Sequence, residues 1–142
     1  MTRPRFLPRW IVHHPQHNGA CAALILNAPA NLPLASAYPD RVDEIRRAGR
    51  PGQVMLLESH GGAATDVRGL FRTICKMAHE QGVVYLYALI DPDDATAYRR
   101  YAVVMDWGVR QWDFADGADV IAVRYDVEAL FSRYVQEGKD HG

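Results

Sequence analysis

The stretch from Gln53 to Ile90 constrains the fold more than any other part of the chain. A buried strand, QVMLLES, runs into a glycine-rich turn, HGGAATD, and then into a helix on which Val67, Leu70, Phe71, Ile74, Met77 and Ala78 recur at i, i+3, i+4 spacing. Gly82 closes that helix, and the β-branched and aromatic run VVYLYALI then reads as a central strand. Strand, helical crossover and strand require a sheet with a helix on its face, which is incompatible with an all-helical bundle.

The flanking segments add strands that pair locally. FLPRWIV and ACAALILNA are apolar stretches separated by HHPQHNG, whose Pro, Asn and Gly are turn formers, so the domain opens on an antiparallel hairpin. Pro4 and Pro8 suit an edge strand. APANLPLASAYP is expected to be a loop, after which Asp40 caps a short helix, RVDEIRRA, ended by Gly49. Asp91, Pro92 and Asp94 stand at N-cap, N1 and N3 of a second helix over residues 93–105, with Tyr98, Tyr101, Ala102 and Met105 on one face. WGVRQWDF, the turn ADGAD and VIAVRY form a second hairpin. Asp126 caps a last helix that turns Val127, Leu130, Phe131, Tyr134 and Val135 inward. No internal repeat is visible. The expected class is α/β of the mixed α+β kind: a mostly antiparallel sheet paired locally at both ends, with helical crossovers in the middle.

Composition bounds the function. A chain of 142 residues is one domain of ordinary size. Its 49% hydrophobic and 23% charged residues are the balance of a globular protein, not of a disordered one. The apolar octet VVYLYALI is far short of the roughly 20 residues a membrane span needs. MTRPRFLPRW has no continuous apolar stretch after its arginines, so it does not read as a secretory signal, and a soluble cytoplasmic protein is expected. With 16 Lys plus Arg against 17 Asp plus Glu, a net charge of −1 supplies no general field for nucleic acid. Cys21 and Cys75 fall in no CxxC or zinc spacing and read as buried thiols.

The glycine turn has chemical potential. Free backbone N–H groups converge at the N-terminus of the following helix, where the dipole is positive, which suits a phosphate. Gly61 and Gly62 equally serve an ordinary tight turn. The loop lacks the GK[ST] ending of a P-loop and does not spell GxGxxG. Tyr98, on the helix after the central strand, is either a proton donor or a core tyrosine at helical spacing, and Tyr101 carries the same two readings. Alternation puts Glu58 and His60 on one side of the strand end, as a general base or as exposed strand-end residues. His13, His14 and His17 lie in a turn without nearby acidic or thiol ligands, which favours a solvated loop, and no metal site is expected. Arg41, Arg46, Arg47 and Arg50 form a basic segment, read as a solvated helix face or as a dock for an acidic partner.

Three stretches carry a family resemblance. NLPLASAYPDRVDEIRRAGR resembles a Leu-Pro, short acidic helix and Gly-Arg that lead into a strand. IDPDDATAYRRYAVVMDWG resembles an Asn-Pro, helix, Phe-Tyr, Gly-Phe pattern with Pro92, Tyr98 and Gly108 in step, and DVIAVRYDVEAL resembles a closing strand and its acidic end. Together they are similar to the Gcn5-related N-acetyltransferase fold, in its branch of N-acyl amino acid synthases and acyl-homoserine-lactone synthases.

The resemblance implies a single domain over residues 1–142 without the family's usual first strand and first two helices. It implies transfer of an acyl group from acyl-CoA or the acyl-phosphopantetheine of an acyl carrier protein to a small, amino acid-like amine. Tyr98 would protonate the departing thiolate, and Glu58 or His60 would take the amine's proton. The donor's phosphate would rest on Ser59, Gly61, Gly62, Ala63, Ala64, Thr65 and Asp66, and the two strands around the crossover would splay to admit the pantetheine arm. A homodimer is expected, because the missing block leaves one sheet edge and face to be covered. The departures are Gln53 where the family usually has Glu, Ser59 where the wider superfamily has Arg or Gln, and Val104 at the expected aromatic. They leave a second reading, a catalytically silent module that binds acyl-phosphopantetheine or a partner protein.

Overall fold

The computed structural model describes residues 10–13, 21–57, 67–113 and 116–140. Its strands are β1 (Trp10–His13), β2 (Cys21–Ile25), β3 (Pro51–Leu57), β4 (Tyr85–Ile90), β5 (Val103–Val104), β6 (Arg110–Trp112) and β7 (Ala118–Asp126). Its helices are α1 (Pro33–Ala37), α2 (Val42–Arg47), α3 (Val67–Glu80), α4 (Ala95–Tyr98) and α5 (Val127–Asp140).

The sheet runs in the order β1-β2-β3-β4-β7-β5, with β6 paired to the start of β7. Among the described strands only β3 and β4 are parallel, and α3 is the crossover between them. Every other pair is antiparallel, so the sheet is mixed and mostly antiparallel as expected. The opening hairpin pairs Trp10 with Leu24 and His13 with Cys21, and the second hairpin pairs Arg110 with Val120. Asp116 and Gly117, at φ 54° and 75°, turn the chain between β6 and β7.

Each face of the sheet has its own core. On one, Leu24, Leu86, Val123 and Tyr125 pack beneath Ile74, Cys75 and Ala78 of α3 and Val127 and Leu130 of α5. The fully buried Leu, Ile and Val side chains contribute roughly 1.5–3 kcal/mol each. On the other, Ala23, Ile25, Tyr87, Val120 and Ala122 pack beneath Leu34, Tyr38, Ile45, Trp107 and Trp112. The alternation of strand side chains supplies both cores from the same strands.

Several local expectations hold. Asp91 accepts a hydrogen bond from the Asp93 N–H at 2.9 Å, and Asp126 accepts one from the Ala129 N–H at 3.1 Å, so both cap the helical turns that follow them. Gly49, just beyond α2, has φ +120°, and Gly82, after α3, has φ +75°. Cys75 is fully buried, and burial pushes its thiol up to about 11, which leaves it inert at neutral pH. The side chain of Cys21 lies outside what is described.

Three expectations need correction. The segment APANLPLASAYP is not a loop but a 3-10 turn over Pro29–Asn31, helix α1 and a further 3-10 turn over Pro39–Arg41, because each of these prolines occupies N1 of its turn, where no N–H is needed. Asp40 does not cap α2, whose N-cap is Arg41 without a side-chain bond. The helix expected over residues 93–105 is a 3-10 turn over Pro92–Asp94 followed by the four residues of α4; the chain then leaves it to place Val103 and Val104 as β5 against Arg124 and Val123. β-branched residues suit that edge pairing better than a helix interior.

Candidate active site

The parallel pairing of β3 with β4 covers only Pro51–Tyr85, Gly52–Leu86 and Gln53–Tyr87. Both strands continue beyond it, β3 to Leu57 and β4 to Ile90, without pairing to each other. The edges of Val54–Leu57 and Ala88–Ile90 that face one another therefore diverge from Gln53 and Tyr87 onward. Across its other edge β3 stays paired to β2 through Leu57, and β4 to β7 through Ile90, so the divergence opens the middle of the sheet, not its margin.

Tyr98, the last residue of α4, stands just beyond the end of β4. Its half-buried ring packs, with Ala95 and Ala102, against the core beneath α3 and α5. Burial raises its pKa and the nearby Asp94 charge raises it further, so the phenol stays protonated at neutral pH. Among the described residues its hydroxyl has no hydrogen-bond partner. Tyr101 does not share that face: it lies past α4 and is 50% exposed.

Glu58, His60 and the seven loop positions Ser59, Gly61, Gly62, Ala63, Ala64, Thr65 and Asp66 lie outside the described residues, between β3 and α3. His14 and His17 lie outside them as well. Among the described residues no group of three or more His, Cys, Asp or Glu could hold a metal ion, and no helix is long and apolar enough to cross a membrane.

Gln53 sits where the strands part and is 0% exposed. Its Oε1 accepts a hydrogen bond from the Leu34 N–H at 2.7 Å, so the first turn of α1 is tied to the middle of the sheet. Among the described residues its Nε2 has no partner. Tyr87 lies directly across from Gln53 on β4, and Arg124 directly across from Tyr87 on β7, so the three share one face of the sheet in a single row. Burial raises the Tyr87 pKa, opposed by the charge of Arg124 and by a hydrogen bond with it, while the Glu44 charge raises it further. The Arg124 guanidinium stacks over the Tyr85 ring at 4.1 Å from its centroid, and its buried Nε has no hydrogen-bond partner among the described residues. Gln53 belongs to the face under α1 and α2, whereas Tyr98 packs on the opposite face, so the two flank the divergence from either side.

A second polar cluster closes the α1–α2 side. Arg110 donates to both carboxylate oxygens of Asp40, at 2.8 and 2.9 Å, and to the Ala37 carbonyl at 3.2 Å. The guanidinium holds the Asp40 carboxyl down to about 2. Trp107 Nε1 donates to Glu44 at 2.8 Å and Trp112 Nε1 to the Ser36 hydroxyl at 2.8 Å. Of the basic segment, Arg41 pairs with Glu44 and Arg46 with Asp43, the arrangement of a solvated helix face. Sequence reading missed the roles of Arg124 and Arg110; the available signal was an arginine within each apolar strand run, VIAVRY and WGVRQWDF.

No family model matches the sequence, and no curated protein matches it. Solved structures do. FeeM, an N-acyl amino acid synthase from uncultured soil microbes, aligns with a TM-score of 0.67 over 82% of this chain and 70% of its own, at 18% identity. TofI, solved in a ternary complex with an inhibitor and MTA, aligns with a TM-score of 0.54 over 77% of this chain and 57% of its own, at 20% identity. A CoA-dependent acyl-homoserine lactone synthase, MesI, aligns with a TM-score of 0.43 at 14% identity, over 77% of this chain and 56% of its own. The chain thus spans little more than half the length of TofI and MesI. The mixed, mostly antiparallel sheet, with β3 and β4 parallel across α3, is, as the sequence resemblance implied, that of a Gcn5-related N-acetyltransferase-like fold.

Proposed function

We propose that the chain is an N-acyltransferase that moves an acyl group from a coenzyme A or acyl-carrier-protein thioester to a small, amino acid-like amine. The observation that carries this is the divergence of β3 and β4 past Gln53 and Tyr87, within the fold shared with FeeM. Strand edges that part in the middle of a sheet offer unpaired N–H and C=O groups to an extended amide-bearing ligand, and the pantetheine arm is one. The glycine turn at residues 59–66, which leads into α3, is assigned the donor's phosphate.

In this reaction the amine nitrogen attacks the thioester carbonyl, the C–S bond breaks and an amide forms. Tyr98 delivers its phenolic proton to the departing thiolate, a role supported by its place beyond β4 and by its raised pKa. Glu58 or His60, through water, accepts the proton that the amine sheds. Incubating the chain with acyl-CoA or acyl carrier protein and a panel of amines should release thiol stoichiometrically with N-acyl amine, followed by mass spectrometry. Absence of both from every donor would remove the enzymatic reading.

Gln53 favours a second reading. A carboxamide held by Leu34 at the position where the resemblance expects a base suits a silent module that binds acyl-phosphopantetheine without turning it over. Coenzyme A binding without thiol release would select it.

A further inference from the structure

Gln53 is fully buried, yet its carboxamide leaves one donor unmet, so burial alone does not account for it. The Leu34 N–H can only donate, so the Gln53 oxygen faces it and the NH2 end is left, among the described residues, without an acceptor. An apolar side chain of the same size would reverse the balance, bringing no unmet group of its own but orphaning the Leu34 N–H. One costly unpaired donor remains either way, and pairing by itself does not select a carboxamide. What the carboxamide adds is direction. A hydrogen bond fixes one atom against another, whereas apolar contact is non-directional, and fixing register is the best attested use of a buried polar group.

The bond falls where α1 needs it. Leu32, the N-cap of α1, has no side chain that accepts, and Pro33 at N1 has no N–H, so the N–H of Leu34 is the first in the helix to seek a partner. A cap side chain ordinarily supplies that oxygen from within the turn. Here it comes from β3, 19 positions along the chain. The last turn of α1 is held to β6, where the Ser36 hydroxyl accepts from Trp112 Nε1 at 2.8 Å and the Ala37 carbonyl accepts from Arg110 at 3.2 Å. Pinned at both ends, α1 packs on β4 between them. Next beyond Gln53 and Tyr87 on the same face come Met55 of β3 and Leu89 of β4, both partly buried against the core that holds Leu34. They are the first side chains of this face on the two diverging strands, so Gln53 sets the first turn of α1 beside the mouth of the divergence.

We propose that Gln53 is the positioning residue of this mouth: through the Leu34 amide it holds the first turn of α1 in the place that leaves an amine its approach to the thioester. The inference rests on the acyltransferase reading and adds to it a task for the residue that stands where the resemblance expects a base. Tyr98 packs on the opposite face, so the thiolate departs on one side of the sheet and the amine arrives on the other. A first turn released from Gln53 shifts over Met55 and Leu89 and obstructs the amine, while the strand edges that receive the donor keep their pairing to β2 and β7.

The test joins an exchange measurement to kinetics. Gln53→Met removes the acceptor at similar length, with Gln53→Leu as the second choice should it not fold, and Gln53→Glu keeps an oxygen for the Leu34 N–H. Circular dichroism checks the fold of each. Hydrogen exchange of the Leu34 amide, followed by NMR, should quicken about tenfold in Gln53→Met, as for the loss of one hydrogen bond, and stay near wild type in Gln53→Glu. In thiol-release assays Gln53→Met should raise the KM for the amine by about the same factor with the KM for the thioester unchanged, and Gln53→Glu should restore the amine KM. Unaltered Leu34 exchange in the folded apolar variant, both KM values rising together, or no restoration by Gln53→Glu overturns the positioning role in an active enzyme. No thiol release by wild type from any donor removes the acyltransferase reading, and the amine's approach with it, whatever the exchange of Leu34 shows.

Discussion

Asp40 is held ionised by two guanidinium hydrogen bonds, and its folded pKa of about 2 lies below its ordinary 3.8. A carboxyl depressed on folding contributes stability above its unfolded pKa and loses it as pH falls through the folded one. The pair should therefore act fully above about pH 4 and fade between pH 4 and 2. Asp40→Asn should flatten the fall of Tm across that window, and an unchanged acid limb in the variant would refute the assignment. Tyr98 makes the catalytic counterpart. If it is the proton donor, Tyr98→Phe should lower thiol release by about 10²-fold, the low end for general acid catalysis, without a matching loss of Tm. A less stable variant with unchanged turnover would return Tyr98 to packing. That Tyr98 packs against the core was legible in the sequence, because its spacing from Ala102 puts both on one face. The Asp40–Arg110 and Gln53–Leu34 contacts were not, since they join residues 70 and 19 positions apart and depend on how α1 folds over the sheet.

Between elements, the α2-to-β3 connection and the β3–β4 divergence carry the most consequence. A Cβ added at Gly49 would stand 2.9 Å from Val84 Cγ2, at a φ of +120° that L side chains rarely adopt. Gly49→Ala should destabilise the chain by more than about 1 kcal/mol, measured by urea unfolding. A neutral substitution would mean that the turn reshapes freely. If the diverging edges receive pantetheine, coenzyme A should shift the amide resonances of Val54–Leu57 and Ala88–Ile90 more than those of β6. Uniform or absent shifts would deny the gap that role. Hairpins and α3 were readable because alternation and i, i+3, i+4 spacing are local signals. The length of α4 was not: Tyr98, Tyr101 and Met105 keep helical spacing, yet β7 takes Val103 and Val104 for its edge. The two prolines of α1 and the turn after it hid helical turns inside what composition alone marks as loop.

At the scale of the molecule, one sheet separates two cores, and among the described residues β1 has a neighbour, β2, on one side only. We expect a second copy to pair along that edge, because a two-fold strand contact is self-complementary. Sedimentation equilibrium at micromolar concentration should then give twice the 15.9 kDa chain mass, and a monodisperse monomer would rule it out. The division of the cores also sorts the indoles. Trp107 and Trp112, 4% and 7% exposed, both sit on the α1–α2 side and each donates its N–H to a residue of that segment, Glu44 or Ser36. In a Trp10→Phe background, the emission wavelength therefore reports on one half of the molecule alone. A red shift that precedes the loss of helical ellipticity from α3 and α5 would mark the α1–α2 cover lifting from the sheet while the opposite core stays closed.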